Sequence, residues 1–294
     1  MDTKYKSIDA ILPPPAPHMV GDGFRVHNFF PSDDRIGMQG MSPFFLMDYN
    51  SKVMIPPSEI PKGVGVHPHR GFETVTIAYQ GKVAHHDSAG NSGIISEGDV
   101  QWMTAGAGVL HKEYHEKEFS RKGGLFQMVQ LWVNLPSKYK MTAAKYQSIE
   151  NKTMGKYAVG GTKMVIDIIA GNYKGIEGPA KTFSPVNLFS AILPKGTKTD
   201  FSFRKNYNTG FLIVEGEVRI NESESASQDS FVLFKHDGEN IILEALKDCK
   251  VLILSGEPIN EPIASGGPFL MNTEAEIRKA FDDYHSGKFG YLED

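Results

Sequence analysis

The chain has 294 residues, 40% hydrophobic and 22% charged, with a formal net charge of −4. That length suits one large domain or two ordinary ones with real cores, and the composition is globular. The slight negative charge gives no broad electrostatic case for nucleic acid or an anionic membrane, and a single cysteine, Cys249, excludes an intrachain disulfide and any multi-thiolate metal site.

Met1–Lys6 carries no apolar run of the kind that opens a secretory signal. No stretch approaches the roughly 20 apolar residues that span a bilayer, so a cytoplasmic soluble protein is expected. Residues 1–60 read as short strands and loops. Ile11–Pro17 is too proline-rich for a helix or a central strand. Phe24–Phe30 alternates weakly, and Ser42–Asp48 reads as a buried strand. From 72 to 135 the pattern is antiparallel β: Thr74–Tyr79, a turn at Gln80-Gly81, the return Lys82–His86, a turn at Glu97–Asp99, then Val100–Met103 and Leu125–Leu135. No helical stripe is expected in this half, and many short strands between glycine turns argue for a sandwich or barrel.

Thr76–Val83 aligns with Phe211–Val218, a weak internal repeat. Further strands are expected near 231–234, 240–246 and 250–255, so the chain reads as two β modules. Ser137–Gly161 has the polar and glycine content of a linker. In the tail, Thr273 as N-cap and Glu276 at N3 form a capping box, followed by Ile277, Ala280, Phe281 and Tyr284 at helical spacing, with Gly287 as the stop. Cys249 is expected as a small buried residue.

The chemistry lies between Gly65 and Glu113. His67 and His69 form one i, i+2 pair; His111 and Glu113 form another. Residues i and i+2 of a strand share a face, so two such pairs on facing strands would aim four donors at one point. Either pair alone is compatible with packing or a solvated edge. Together, each beside a glycine-rich segment, they favour a divalent ion such as Fe, Mn, Ni or Zn. The repeat places Ser202 and Arg204 where module one has His67 and His69, so the second module is expected to lack this site.

Several stretches carry a resemblance to a known family: His67-Pro-His-Arg-Gly-Phe-Glu-Thr-Val75, Asp87-Ser-Ala-Gly-Asn91, Gly98-Asp-Val-Gln-Trp-Met-Thr-Ala-Gly106, His111-Lys-Glu113, Gln130–Pro136, Gly267–Thr273 and Gly287–Gly290. The chain resembles the pirin family of the cupin superfamily over nearly its whole length. The resemblance implies an all-β fold of two jelly-roll cupin barrels with a short C-terminal helix. Residues 1–140 would be the metal-binding barrel, and 141–294 a barrel without a metal site plus the helix. It also implies a mononuclear metal on His67, His69, His111 and Glu113. Many other cupins would use Glu73 instead, and otherwise Glu73 would orient a ligating histidine. His115 shares the parity of His111 and Glu113 and is otherwise read as rim or surface; His85 and His86 are read as a strand face.

Some pirins are similar to quercetinases, which implies a flavonol 2,3-dioxygenase using dioxygen. Fe(II) would be preferred, with Mn, Ni, Co or Zn allowed by the ligand set, and Glu113 would be both ligand and general base. Phe44, Phe45, Met47 and Trp102 are candidates for an apolar mouth. Two alternatives stand beside this: a metal- or redox-gated regulator that binds a protein partner, as eukaryotic pirins do in transcription, with no direct nucleic-acid contact; and a zinc-dependent isomerase or hydrolase.

Overall fold

Runs of β-branched and aromatic residues, broken every few positions by glycine, make antiparallel strand the dominant element of the chain in the computed structural model, which describes residues 5–293. Four sheets carry nearly all of it. A seven-stranded sheet runs in the order Lys145–Ile149, Val100–Thr104, Phe72–Gln80, Gly124–Asn134, Phe44–Ile55, Phe24–Phe30, His18–Val20. Its companion has Gly63–His69, Val109–His115, Val83–Asp87 and Ser92–Ile95. The second half repeats the plan. Its seven strands are Ile8–Leu12, Phe231–Phe234, Asn208–Glu215, Cys249–Gly256, Val186–Leu193, Val165–Ala170 and Gly155–Ala158, and its four are Lys198–Ser202, Asn240–Ala245, Glu217–Ile220 and Glu224–Ser227. Each seven-plus-four set is one cupin barrel. The repeat detected in the sequence is the same tight turn in both, pivoting on Gly81 (φ 80°) and Gly216 (φ 84°), a backbone conformation that disfavours side chains.

The units do not follow a cut at residue 140. One comprises the chain through Pro15, Gln39–Pro43 and Lys152–Pro258; the other comprises Ala16–Met38, Phe44–Asn151 and the chain from Ile259. Both ends cross over. Ile8–Leu12 pairs with Phe231–Phe234 as an edge strand of the second barrel, the position its following prolines permit. The tail instead joins the first barrel, where Phe269, Met271, Ile277, Ala280 and Phe289 bury an apolar cluster with Leu110. The presumed linker is structured: Lys145–Ile149 pairs with Val100–Thr104 in the first barrel, and Gly155–Ala158 with Val165–Ala170 in the second. Burial and pairing between residues distant in sequence decide these memberships, and local composition carries neither.

The tail helix, Glu274–His285, has the expected capping box: Glu276 N–H donates to Thr273 Oγ1 (3.2 Å) and Thr273 N–H to Glu276 Oε2 (2.9 Å). A short helix, Lys117–Lys122, was not foreseen; Glu116 caps it by accepting from the Glu118 and Phe119 amides. Lys140 is 1% exposed. Its ammonium donates to Gly71 O (2.9 Å), Asn134 Oδ1 (2.7 Å) and Leu270 O (2.7 Å), tying the Gly71 turn to the tail.

Among the described residues no helix is long and apolar enough to cross a membrane.

Candidate metal centre

The strands Gly63–His69 and Val109–His115 are hydrogen-bonded neighbours in one sheet, with His111 in register with His67 and a register shift between His111 and Glu113. The sequence reading had placed them on facing strands. Adjacent strands serve as well, because residues of like parity on both project to one face. The rings of His67, His69 and His111 sit 4.2 to 4.8 Å apart, centre to centre. Donor atoms of His67, His69 and His111 lie within 4.8 Å of one another, and so do those of His85, His111 and Glu113. His111 belongs to both groups.

Each ring is oriented by a partner on its far side. His67 Nδ1 donates to Gly65 O (2.8 Å), and His69 Nδ1 to Pro268 O (3.2 Å). A carbonyl only accepts, so in the neutral rings each Nε2 keeps its lone pair. His111 Nε2 is buried and has no hydrogen-bond partner among the described residues. Glu113 is gripped by three side chains: Gln101 Nε2 (3.1 Å) and Thr76 Oγ1 (2.9 Å) reach Oε1, and Gln130 Nε2 (3.0 Å) reaches Oε2. Thr76 Oγ1 also lies 2.7 Å from Gln130 Oε1, so its single proton serves one acceptor at a time.

Burial drives the electrostatics. Desolvation pushes the His67, His69 and His111 pKa values down, and charge on the neighbouring histidines adds to this at His69 and His111. The rings are therefore neutral lone-pair donors at neutral pH. Three imidazoles and a fixed carboxylate could hold a borderline divalent ion, and an orphaned buried Nε2 is the atom such an ion would satisfy.

The other candidates fall elsewhere, chiefly through strand parity. Glu73 is opposite in parity to Thr76. It accepts from Thr104 Oγ1 (2.7 Å) and belongs to neither of the two donor groups. Burial raises its pKa to about 7 against the Thr104 hydrogen bond. His115 is neither rim nor surface: it is 1% exposed, with Phe24, Phe119 and Phe126 around its ring. His86 stacks on Tyr114, as a strand-face residue would. His85, its neighbour, is fully buried against His111, a role the sequence reading missed. A His-x-Asp on a strand was the available signal.

A cavity of about 260 Å³ opens beside the centre, lined by His67, His69 and Glu113 with Phe24, Met128, Trp132 and Asp48 among its walls. Phe44, Phe45, Met47 and Trp102 do not line it. Met47 alternates with Asp48, and Trp102 with Gln101, and in each pair the polar residue faces inward. Burial raises the pKa of the Asp48 carboxyl, although a hydrogen bond from Asn28 Nδ2 (2.7 Å) opposes the shift.

Residues 23–133 match the family Pirin, and residues 188–290 the Pirin C-terminal cupin domain. A Pseudomonas aeruginosa protein provisionally named a quercetin 2,3-dioxygenase is 42% identical over 272 residues, covering 92% of this chain and 94% of that one. A crystal structure titled quercetin 2,3-dioxygenase, from Acinetobacter baumannii, superposes with a TM-score of 0.93 at 47% identity, covering 99% of this chain and 100% of that one. The fold is also that of a bacterial pirin of Escherichia coli solved with nickel(II) (TM-score 0.64, 21% identity, 85% of this chain and 100% of that one).

Proposed function

This chain belongs to the pirin family, and from that premise we propose that it is a metal-dependent dioxygenase that opens flavonol-type aromatic rings. The observation that carries the proposal is that donor atoms of His67, His69 and His111 lie within 4.8 Å of one another, that His111 is grouped in the same way with Glu113, and that His67, His69 and Glu113 line an apolar-sided cavity while His111 Nε2 has no partner among the described residues. Those four residues would hold one divalent ion, Fe(II) by preference, with Mn, Ni, Co or Zn compatible with the same donors. When bound, the ion supplies Lewis acidity toward a substrate oxyanion and a site for dioxygen chemistry.

The chain's own residues do the rest. Phe24, Met128 and Trp132 form an apolar wall for a planar substrate and exclude water from it. At about 260 Å³ the cavity lies near the small end of ligand pockets, which run from about 300 Å³ upward. Glu113 serves as ligand and as the base that takes the proton of the substrate hydroxyl. Its three hydrogen-bond donors keep the carboxylate aimed. Asp48, in the same cavity, is a second carboxyl able to hold that proton, since burial favours its neutral form. Pro268 contributes its carbonyl to His69 from the C-terminal segment, so the tail is part of the site.

The test is direct. Protein loaded with Fe(II) is mixed with quercetin in air, and flavonol absorbance is followed. Metal-dependent loss of the absorbance is expected; no turnover from fully metallated protein overturns the proposal.

A further inference from the structure

We infer that His85 and Asp87 are positioning residues for His111, a carboxylate–imidazole–imidazole chain that fixes which His111 nitrogen faces the ion; the inference rests on the metal-centre reading above. The strand Val83–Asp87 lies beside Val109–His115, with Asp87 in register with His111 and His85 with Glu113. His85 is 0% exposed. Its Nε2 is 3.3 Å from Asp87 Oδ2, and its Nδ1 is 3.4 Å from His111 Nδ1.

The hydrogen-bond polarity of this chain is determined from its far end. An ionised carboxylate only accepts, so His85 Nε2 carries the hydrogen. In the neutral ring His85 Nδ1 is then an acceptor, and His111 Nδ1 must be the donor. That leaves His111 Nε2 as a bare lone pair, and this is the buried atom without a partner. The tautomer of His111 is thus dictated by a residue two side chains away, as ligand partners commonly do in metal sites.

Asp87 is itself immobilised. Its Oδ1 accepts from Ala89 N (2.9 Å), Asn91 N (2.9 Å) and Asn91 Nδ2 (3.1 Å), and its Oδ2 from Asn91 Nδ2 (3.0 Å). The Asp87–Asn91 sequence thus builds a clamp that points one carboxylate oxygen at His85. Tyr146 stacks on the His85 ring at 5.2 Å and 24°, which keeps it from swinging away. His85, Asp87, Asn91 and Tyr146 have this one arrangement in common: each restrains the orientation of the next group toward His111.

The experiment titrates the whole chain with Co(II), against a competing chelator, for wild type, His85→Gln, Asp87→Asn and His67→Ala. Visible Co(II) spectra are recorded, and histidine ¹⁵N NMR is measured on the zinc-loaded wild type. Melting of the metal-free proteins controls for folding. His85→Gln leaves the Asp87 clamp on Ala89 and Asn91 untouched, so it separates loss of the chain from loss of the loop. Both chain variants are expected to bind Co(II) about 10- to 100-fold more weakly with an altered spectrum. The NMR is expected to show protons on His111 Nδ1 and His85 Nε2. Wild-type affinity and spectrum in His85→Gln would overturn the inference, as would a zinc-bound His85 nitrogen. If His67→Ala abolishes binding while both chain variants bind normally, this inference alone fails. If wild type binds no Co(II), or His67→Ala binds unchanged, the metal-centre reading fails with it.

Discussion

The two barrels share a strand plan and differ in what fills them. In the first, the four-stranded sheet turns His67, His69, His85, His111 and Glu113 inward. In the second, the corresponding strands turn in Thr199 and Phe201, Val218 and Ile220, and Ile241, Leu243 and Ala245. Phe201 packs against Tyr173, Phe189, Phe203 and Phe211 inside one continuous apolar core. The residues that the sequence repeat set against His67 and His69, Ser202 and Arg204, are exposed and face outward, one step out of phase with the buried Phe201 and Phe203. One scaffold therefore supports either a cluster of imidazole and carboxylate donors or an apolar core, and the inward positions decide which.

That contrast can be broken from the first barrel most forcefully. Glu113→Ala and His67→Ala should each lose stoichiometric metal, read by elemental analysis of protein purified without added metal, while the metal-free fold survives. Retention by both would mean that these residues are not ligands. In the second barrel the equivalent truncation should strike stability instead: Phe201→Ala should cost about 3–5 kcal/mol by denaturant unfolding and leave metal content unchanged.

Lys140→Met should cost on the order of 3 kcal/mol, because it strands the neutral oxygens of Gly71, Asn134 and Leu270 in the interior, offset in part by removing a buried ammonium. Burial is the main force pulling the Lys140 pKa down, to about 7. Its three oxygen acceptors nevertheless call for all three ammonium hydrogens, so the charged form is the one that ties the tail.

The smallest expected effect depends on pH. Glu73 has its pKa raised from 4.5 to about 7 by burial. In the window between these values the folded state holds the proton that the unfolded state has lost. Its stabilising effect is therefore complete below pH 4.5 and is lost as pH rises through about 7. Glu73→Gln cannot ionise and can still accept from Thr104. It should match wild type near pH 4.5 and exceed it by up to about 3 kcal/mol at alkaline pH. Urea unfolding at the two pH values measures the gap, and an equal gap at both would show that Glu73 does not titrate in this window.

Much of the architecture was legible because strands announce themselves locally. The Gly81 and Gly216 turns, the Thr273 capping box and the two i, i+2 donor pairs each depend on residues a few positions apart. The ends of the chain were misassigned for the converse reason: nothing in Ile8–Leu12 records that its partner is Phe231–Phe234, and nothing in Phe269 or Ile277 records that they bury with Leu110. The cavity lining was misjudged because hydrophobicity ranks Met47 and Trp102 above Asp48 and Gln101, whereas strand parity turns the polar pair inward.

By itself, then, the order of residues determined the β character, the turns and which donor side chains share a face, since a strand's period of two and a turn's backbone demands are local properties. Tertiary structure alone decided that His111 pairs with His67, that His85 and Asp87 stand behind His111, and that a carbonyl 199 residues away from His69 completes its orientation. Strand register and burial arise from contacts between distant segments, and no short window of sequence contains both partners.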